Sequence, residues 1–531
     1  MIRNPILPGF NPDPSICRVG DTYFIATSTF EWYPGVQIHQ SRDLVNWDLA
    51  CRPLTRASQL DMRGNPDSCG VWAPCLSYAD GLFWLVYTDM KRLDGNFKDA
   101  HNYIVTAPDI EGPWSDPVYV SSHGFDPSLF HDDDGRKWYI VLQWNHVSNS
   151  IGGHPKHPAF DGIMLQEWHP ETGLKGDMVE IFKGSPHGLT EGAHLSKRDG
   201  WYYLTVAEGG TGYDHAVTMA RSRSITGPYE VHPDTHIITA KDAPDAPLPR
   251  AGHGQIVETP QGRTYHTHLC SRPLPGPFSP LGRETGIQEC VWREDGWLYP
   301  KAGTPVPQVE VDPPVPATPR PAAPVLRRFD ADTLPPEFQW LRTPYPDRIF
   351  ALTGSSLRLT CRESIGSWFE QALVARRQEH LSYRAETTLA TFIPTTYQQA
   401  AGLVTYYNRH KFHFAALSHD ARLGRVLCLL SCPGHWPDGQ LEFPTDPIAM
   451  DDGPVDLAVE AQGATQQFYW RQTGAWQSFG PPLNAAVLSD EGGRGEHASF
   501  TGNFVGMAGF DTTGHACTAD FDRFDYHPME P

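Results

Sequence analysis

At 531 residues the chain is long for a single hydrophobic core, so two domains are expected. A formal net charge of −20 is the opposite of the basic footprint that phosphate binding needs; it excludes nucleic acid as an expected partner and reads as solubility. No apolar run is long enough to span a bilayer, so no membrane partner is expected.

The N-terminal stretch MIRNPILPGFNPDPS has no apolar h-region and runs directly into a repeated pattern. The expectation is a cytoplasmic protein. Its ten cysteines form no C-x-x-C pair and no zinc-type spacing, and are expected to be free thiols. The 16 Trp and 20 Tyr suit strands, and aromatic faces also suit sugar rings.

Five times along residues 1–305 a polar or aromatic residue precedes a glycine and an alternating aromatic strand. The copies are Asp13 before GDTYFIAT, Trp72 before GLFWLVYT, Asp126 before GRKWYIVL, Glu191 before GWYYLTVA and His253 before GRTYHTHL. The step to the glycine is 7 residues in the first copy and 9 in the others; successive glycines lie 61, 54, 65 and 62 apart. A long period with a turn glycine and an alternating strand is the signature of a radially repeated sheet. The prediction is a five-bladed β-propeller over residues 1–304, with the five leading residues at equivalent places on inner strands around one axis.

Three outer segments, SRDLVNW, TAPDIEGPW and ARSRSITGPY, end in Trp or Tyr and read as one recurring turn used in different blades. Between copies three and four, NHVSNSIGGHPKHPAFDG is rich in His and Gly and is a candidate for shaping the rim of a site. Residues 305–325 are proline-rich, lack glycine and read as a stiff, extended linker. From 326 to 531, short alternating strands (SLRLTCR, KFHFAAL, VDLAVEAQ, TQQFYWRQ) without helical periodicity predict a β-sandwich. The fold class is therefore all-β, a propeller followed by a sandwich.

Three carboxylates, a tryptophan and a histidine converging on one axis make a carbohydrate-hydrolysing site the sharp hypothesis. Glycosidic cleavage needs one protonated carboxyl to donate to the leaving oxygen and one ionised carboxyl to activate water or attack the sugar. Burial or a neighbouring carboxylate supplies the raised pKa of the acid. Each residue also has a plainer reading. Asp13 and Asp126 sit in Asp-Pro-Ser, a common turn; Glu191 could cap a loop; Trp72 and His253 could be core residues.

At this level of detail NPILPGFNPDPSI, STFEWYPGVQIHQSRDLVNW, GNPDSCGVWAPCLSYADG, TEGAHL, AEGGTGYDHAVTMARS, PLGRETGIQE, FTGNFVG and ADFDRFDYHP resemble the β-xylosidases of glycoside hydrolase family 43, over essentially the whole chain. The resemblance implies an exo-acting, inverting β-D-xylosidase that releases xylose from xylooligosaccharides. It assigns Asp13 as general base, Glu191 as general acid and Asp126 as the carboxylate that tunes the acid. It makes Arg283 a site contact, Phe30, Trp72 and Trp144 apolar walls, and Phe500 an aromatic by which the sandwich closes the pocket. His253 matches a histidine that in some relatives helps hold a divalent cation; calcium with a largely aqueous shell is the expected ion, and no other cofactor is expected. Inversion implies carboxyl groups about 6.5–9.5 Å apart. The stretch between SRPLPGPF and PLGRET is shorter than in some relatives and, with NHVSNSIGGHPKHPAFDG, bears on leaving-group preference; TEGAHL has Ala where close relatives have Pro, a small loop change beside the acid. The alternatives are an α-L-arabinofuranosidase or bifunctional enzyme, a non-catalytic sugar-binding propeller, and a sandwich acting as a separate carbohydrate-binding module. Oligomeric state is left open, a homo-oligomer being compatible with the sequence.

Overall fold

The computed structural model describes residues 1–93, 97–147, 159–435, 439–492 and 500–529. Most of the His- and Gly-rich stretch 145–162 thus lies outside the described residues. Five four-stranded antiparallel sheets are arranged as propeller blades. Blade I comprises Ser15–Val19, Thr22–Thr27, Gln37–Ser41 and Asp48–Cys51; blade II, Gly70–Ala79, Leu82–Arg92, Asp99–Ala107 and Val118–Ser121. Blade III comprises Ser128–His131, Lys137–Trp144, Phe160–His169 and Gly173–Phe182; blade IV, Glu191–Arg198, Trp201–Glu208, Ala216–Ser222 and Glu230–Thr239. Blade V comprises Ile256–Glu258, Thr264–Cys270, Glu284–Trp292 and Leu298–Pro300.

The repeat glycines are the turns between the first and second strands of each blade. Gly20, Gly81, Gly135, Gly200 and Gly262 have φ between 62° and 85°, a left-handed conformation that glycine adopts without steric cost. The outer segments share one turn as well. Trp47 Nε1 donates to the carbonyl of Leu44 (3.2 Å), Trp114 Nε1 to Ile110 (3.1 Å), and the Tyr229 hydroxyl to Ile225 (3.0 Å). An aromatic ring that buries its face and spends its one donor on a nearby carbonyl closes the turn between third and fourth strands.

Small polar side chains stitch the inner strands together. Ser15 Oγ donates to Gln255 Oε1 of blade V (2.8 Å) and accepts from Leu76 N of blade II (2.9 Å); Ser128 Oγ donates to the carbonyl of Ala193 (2.6 Å). The N-terminal Ile2–Arg3 pairs antiparallel with Glu310–Val311. The proline-rich stretch is therefore not a free spacer: it lies against the propeller, and further along Arg320 Nη1 meets Asp48 at 2.8 Å. Proline removes backbone donors, so this segment docks through the few residues that keep them and through side chains.

The C-terminal region is two eight-stranded sheets. Their facing sides, with Leu403, Leu429 and Met507 on one and Leu457, Phe468 and Phe521 on the other, form a core that continues into Leu54 and Leu60 of the connection between blades I and II and into Leu85 of blade II. The junction is covalently simple but structurally shared. Trp32–Tyr33, from the first blade's long connection, is the edge strand of a sandwich sheet, with Trp340 opposite Tyr33 and Leu341 opposite Trp32. The Trp32 ring stacks on Phe504 at 3.6 Å and 10°. Among the described residues the helical turns are short, Pro346–Arg348 and Ala485–Val487.

Candidate active site

The five leading residues reach the axis by two backbone devices, where the spacing predicts one. In blades I, III and V the residue precedes its strand and is itself left-handed: Asp13 has φ 57°, Asp126 56° and His253 41°. In blades II and IV the residue stays in the ladder, Trp72 opposite Thr88 and Glu191 opposite Ala207, and the register then slips. The left-handed residue there is the next one, Ala73 (φ 32°) and Gly192 (φ 59°). Such conformations cost non-glycine residues of order 1–2 kcal/mol, so they persist only where the surroundings impose them. Gly192 is needed for space too: a Cβ there would sit 2.9 Å from the His253 ring.

All nine residues singled out from the sequence line one pocket of about 320 Å³: Asp13, Asp126, Glu191, His253, Arg283, Phe30, Trp72, Trp144 and Phe500. Asp13 is buried and doubly held. Arg283 Nη1 donates to its Oδ1 at 2.6 Å and Ser28 Oγ to its Oδ2 at 2.6 Å. Arg283 Nη2 also reaches the carbonyl of Phe500 at 3.3 Å, linking the propeller site to the sandwich. Phe500 N donates to Ser68 Oγ (3.1 Å), and the carbonyl of Ser68 accepts from Trp72 Nε1 (2.9 Å). Two pocket walls from different domains therefore hang on one serine.

The electrostatics separate the carboxyl groups. Burial, then Asp13, pushes Glu191 up to about 7, against the opposing pull of Arg283 and Lys98. Burial, then Glu191 and Asp13, holds Asp126 well above the usual carboxylate range, opposed by Arg283 and the Gly192 backbone N–H. Both groups therefore favour the protonated form more than an exposed carboxyl does. The His253 ring lies with Nδ1 3.8 Å from Asp13 Oδ1, and burial lowers its pKa. Burial also lowers His194 to about 3, His266 to about 3 and His215 well below the ordinary value, so neutral imidazoles back the acidic centre. Nitrogens of His194, His215 and His266 are buried without a protein partner.

The apolar wall is a chain of rings: Phe30 to Trp72 at 5.8 Å between centroids, Trp72 to Phe125 at 5.4 Å, and Trp144 to Phe160 at 5.4 Å. Lys98 Nζ lies 4.4 Å from the centroid of the Trp144 ring. Ser28, Lys98, Phe125 and Phe160 were not singled out from the sequence. Phe125 directly precedes Asp126 and was within reach of the repeat. Lys98 and Phe160 come from outside the copies, and Ser28 opens the STFEWYPG stretch quoted for the resemblance but was given no role there. Among the described residues no three His, Cys, Asp or Glu side chains are grouped so as to hold a metal ion by themselves.

A carboxylate in an ion pair, a carboxyl that titrates near neutrality and a ring-lined pocket form the equipment of glycosidic hydrolysis. Residues 2–298 match the family model of the glycosyl hydrolases family 43, and residues 327–527 match the beta xylosidase C-terminal concanavalin A-like domain. The chain belongs to glycosyl hydrolase family 43. This family 43 enzyme is 55% identical over 536 residues to xylosidase/arabinosidase 43B of Humicola insolens, covering 100% of this chain and 98% of that one. It is 46% identical over 540 residues to a beta-xylosidase of Bacillus subtilis strain 168, covering 99% of each. The crystal structure of xylan beta-1,4-xylosidase from Bacillus halodurans C-125 superposes with a TM-score of 0.95 at 47% identity, over 99% of this chain and 100% of that one.

Proposed function

We propose that the chain is an exo-acting, inverting β-D-xylosidase acting on the non-reducing ends of xylooligosaccharides. The observation that carries this reading is the unequal treatment of two carboxyl groups in one pocket: Asp13 bound by Arg283, and Glu191 raised to about 7. The Asp13 carboxylate takes a proton from water as the water oxygen bonds to the anomeric carbon. The bond from that carbon to the leaving oxygen breaks on the opposite face, and Glu191 gives its proton to the departing oxygen. Asp126 tunes and orients Glu191. Arg283 positions Asp13 and contacts the sugar, and Phe30, Trp72, Trp144 and Phe500 stack against its apolar faces. The substrate class is supported by the names of the relatives, and the pocket role of the sandwich by Phe500. A second activity, on α-L-arabinofuranosides, is favoured by the name of the Humicola relative, because the two sugars can present similar hydroxyls.

A hydrated divalent cation, calcium first, fits beside His253. The support is the set of buried imidazole nitrogens without protein partners and a centre rich in carboxyl groups, whose repulsion the ion's charge would offset. Water would supply most of its shell, since calcium prefers oxygen. The ten free thiols support a reducing, cytoplasmic setting.

The test pairs 4-nitrophenyl β-D-xylopyranoside with the α-L-arabinofuranoside, with and without exhaustive chelation, and follows the first-formed sugar by NMR. The expected results are xyloside hydrolysis releasing α-xylose, and activity that falls on chelation and returns with calcium. First-formed β-xylose would contradict the mechanism, and unchanged activity in metal-free protein would leave His253 as a neighbour of Asp13 only.

A further inference from the structure

A second cavity, of about 550 Å³, lies between blades II and III and shares Lys98 and Trp144 with the acidic pocket. Its walls come from the third strand of blade II, the connection between the two blades, and the end of the second strand of blade III. The ring chain of the acidic pocket leads toward it, with Phe125 6.3 Å from Trp144 between centroids. Beyond Lys98, which sits against the Trp144 ring, Phe97 packs on the imidazole of His146 at 4.9 Å and 50°.

Phe97 is 60% exposed. A lone exposed phenylalanine carries no meaning, because folded proteins expose many apolar atoms. Here the ring is paired with an imidazole on the wall of a groove that shares Lys98 and Trp144 with the acidic pocket, and polar groups surround it. His101 Nδ1 is bonded to Ser122 Oγ at 2.7 Å. The amides of Gln143 and Asn145 both donate to Asp161 Oδ2, at 3.0 and 2.8 Å, which fixes that wall. An aromatic platform beside fixed amide and imidazole groups suits a pyranose ring, with its apolar face and equatorial hydroxyls. His146 belongs to the His- and Gly-rich stretch that the sequence marks between the third and fourth copies.

Resting on the hydrolase reading above, we propose that this groove binds the leaving portion of a xylooligosaccharide. The second sugar beyond the scissile bond stacks on Phe97 and His146, and its hydroxyls meet His101, His123 and Gln143. The shared residues Lys98 and Trp144 mark where the chain passes from pocket to groove. The site makes the enzyme read substrate length: xylotriose reaches the groove and xylobiose does not.

The experiment measures kcat/KM of the full chain, and of Phe97→Ala and His146→Ala, on 4-nitrophenyl β-D-xyloside, xylobiose and xylotriose. The wild type is expected to prefer xylotriose over xylobiose by about threefold to tenfold, the size of one ring-stacking contact. Each variant should lose that preference and keep wild-type rates on xylobiose and the aryl xyloside. A wild type with equal constants on the two oligosaccharides, a preference that survives both variants, or equal losses on all three substrates would each overturn the site while leaving the hydrolase reading intact. A wild type inert on all three would remove that reading, and the groove's assignment with it.

Discussion

The two sides of the catalytic pocket treat the same functional group in opposite ways. On the side formed by blades I and V, Asp13 is tied by Arg283 and Ser28, each at 2.6 Å, and has a buried cation as its partner. On the side formed by blades III and IV, Asp126 and Glu191 face each other and the ring wall. Among the described residues Arg283 forms its ion pair with Asp13 alone. Burial and neighbouring negative charge then raise both carboxyl groups. One cation placed to one side thus divides three similar acids into one paired with Arg283 and two raised by burial and neighbouring charge, and the roles proposed for them follow from placement rather than residue type.

Removing the paired side should have the largest effect. Asp13→Ala is expected to lower kcat on xylobiose by about 10²–10⁴, the usual worth of a positioned base, while sugar binding stays measurable. Asp13→Asn should match it in rate with less loss of Tm, because it keeps the hydrogen-bonding shape beside Arg283. A variant keeping a tenth or more of wild-type kcat would end the assignment.

The side with the raised carboxyl groups should respond in its pH dependence. With Glu191 as the proposed acid, activity is expected to fall as pH rises through its raised value of about 7. Where the coupled pair shares one proton, Asp126 is the ionised partner whenever Glu191 holds it; Asp126→Asn then removes that charge, the proton leaves at lower pH and the basic limb of the kcat/KM profile moves down. An unchanged limb with normal activity would reduce Asp126 to a turn residue.

The smallest effect is on stability. Glu191 has a folded value above its ordinary 4.5, so its contribution is fully present below that value and is lost as pH rises through about 7. Glu191→Gln should therefore melt higher than wild type at pH 8, by about 1–3 °C for a protein of this size, and close to it at pH 5. Parallel melting curves across that range would show that the raised value is not carried into the folded enzyme.

The propeller was legible because each blade repeats local chemistry: a turn glycine with positive φ, an alternating strand and an aromatic-capped outer turn are each set within a few residues. The sandwich strands were legible by alternation. The pocket walls at Phe30, Trp144 and Phe500 followed from family resemblance, whereas the repeat pattern itself marked Trp72. What stayed hidden depends on partners far apart in sequence. Ser28 matters because it meets Asp13, and Ser68 because it joins Trp72 to Phe500 across the domain junction. Trp32–Tyr33 reads as part of a propeller loop and becomes an edge strand only once Phe338–Leu341 lies beside it. The two ways of reaching the axis were invisible as well, because a bulge after Glu191 and a left-handed Asp126 give the same nine-residue step to the glycine.

The division between the two sides is tested most directly by the dependence of Glu191→Ala on the leaving group. Xylobiose needs its departing oxygen protonated, whereas a 2,4-dinitrophenyl xyloside does not. The account predicts that kcat/KM falls by about 10³ or more on xylobiose and by less than about tenfold on the dinitrophenyl substrate. Equal losses on the two substrates would contradict it, and the proton would have to come from somewhere other than Glu191.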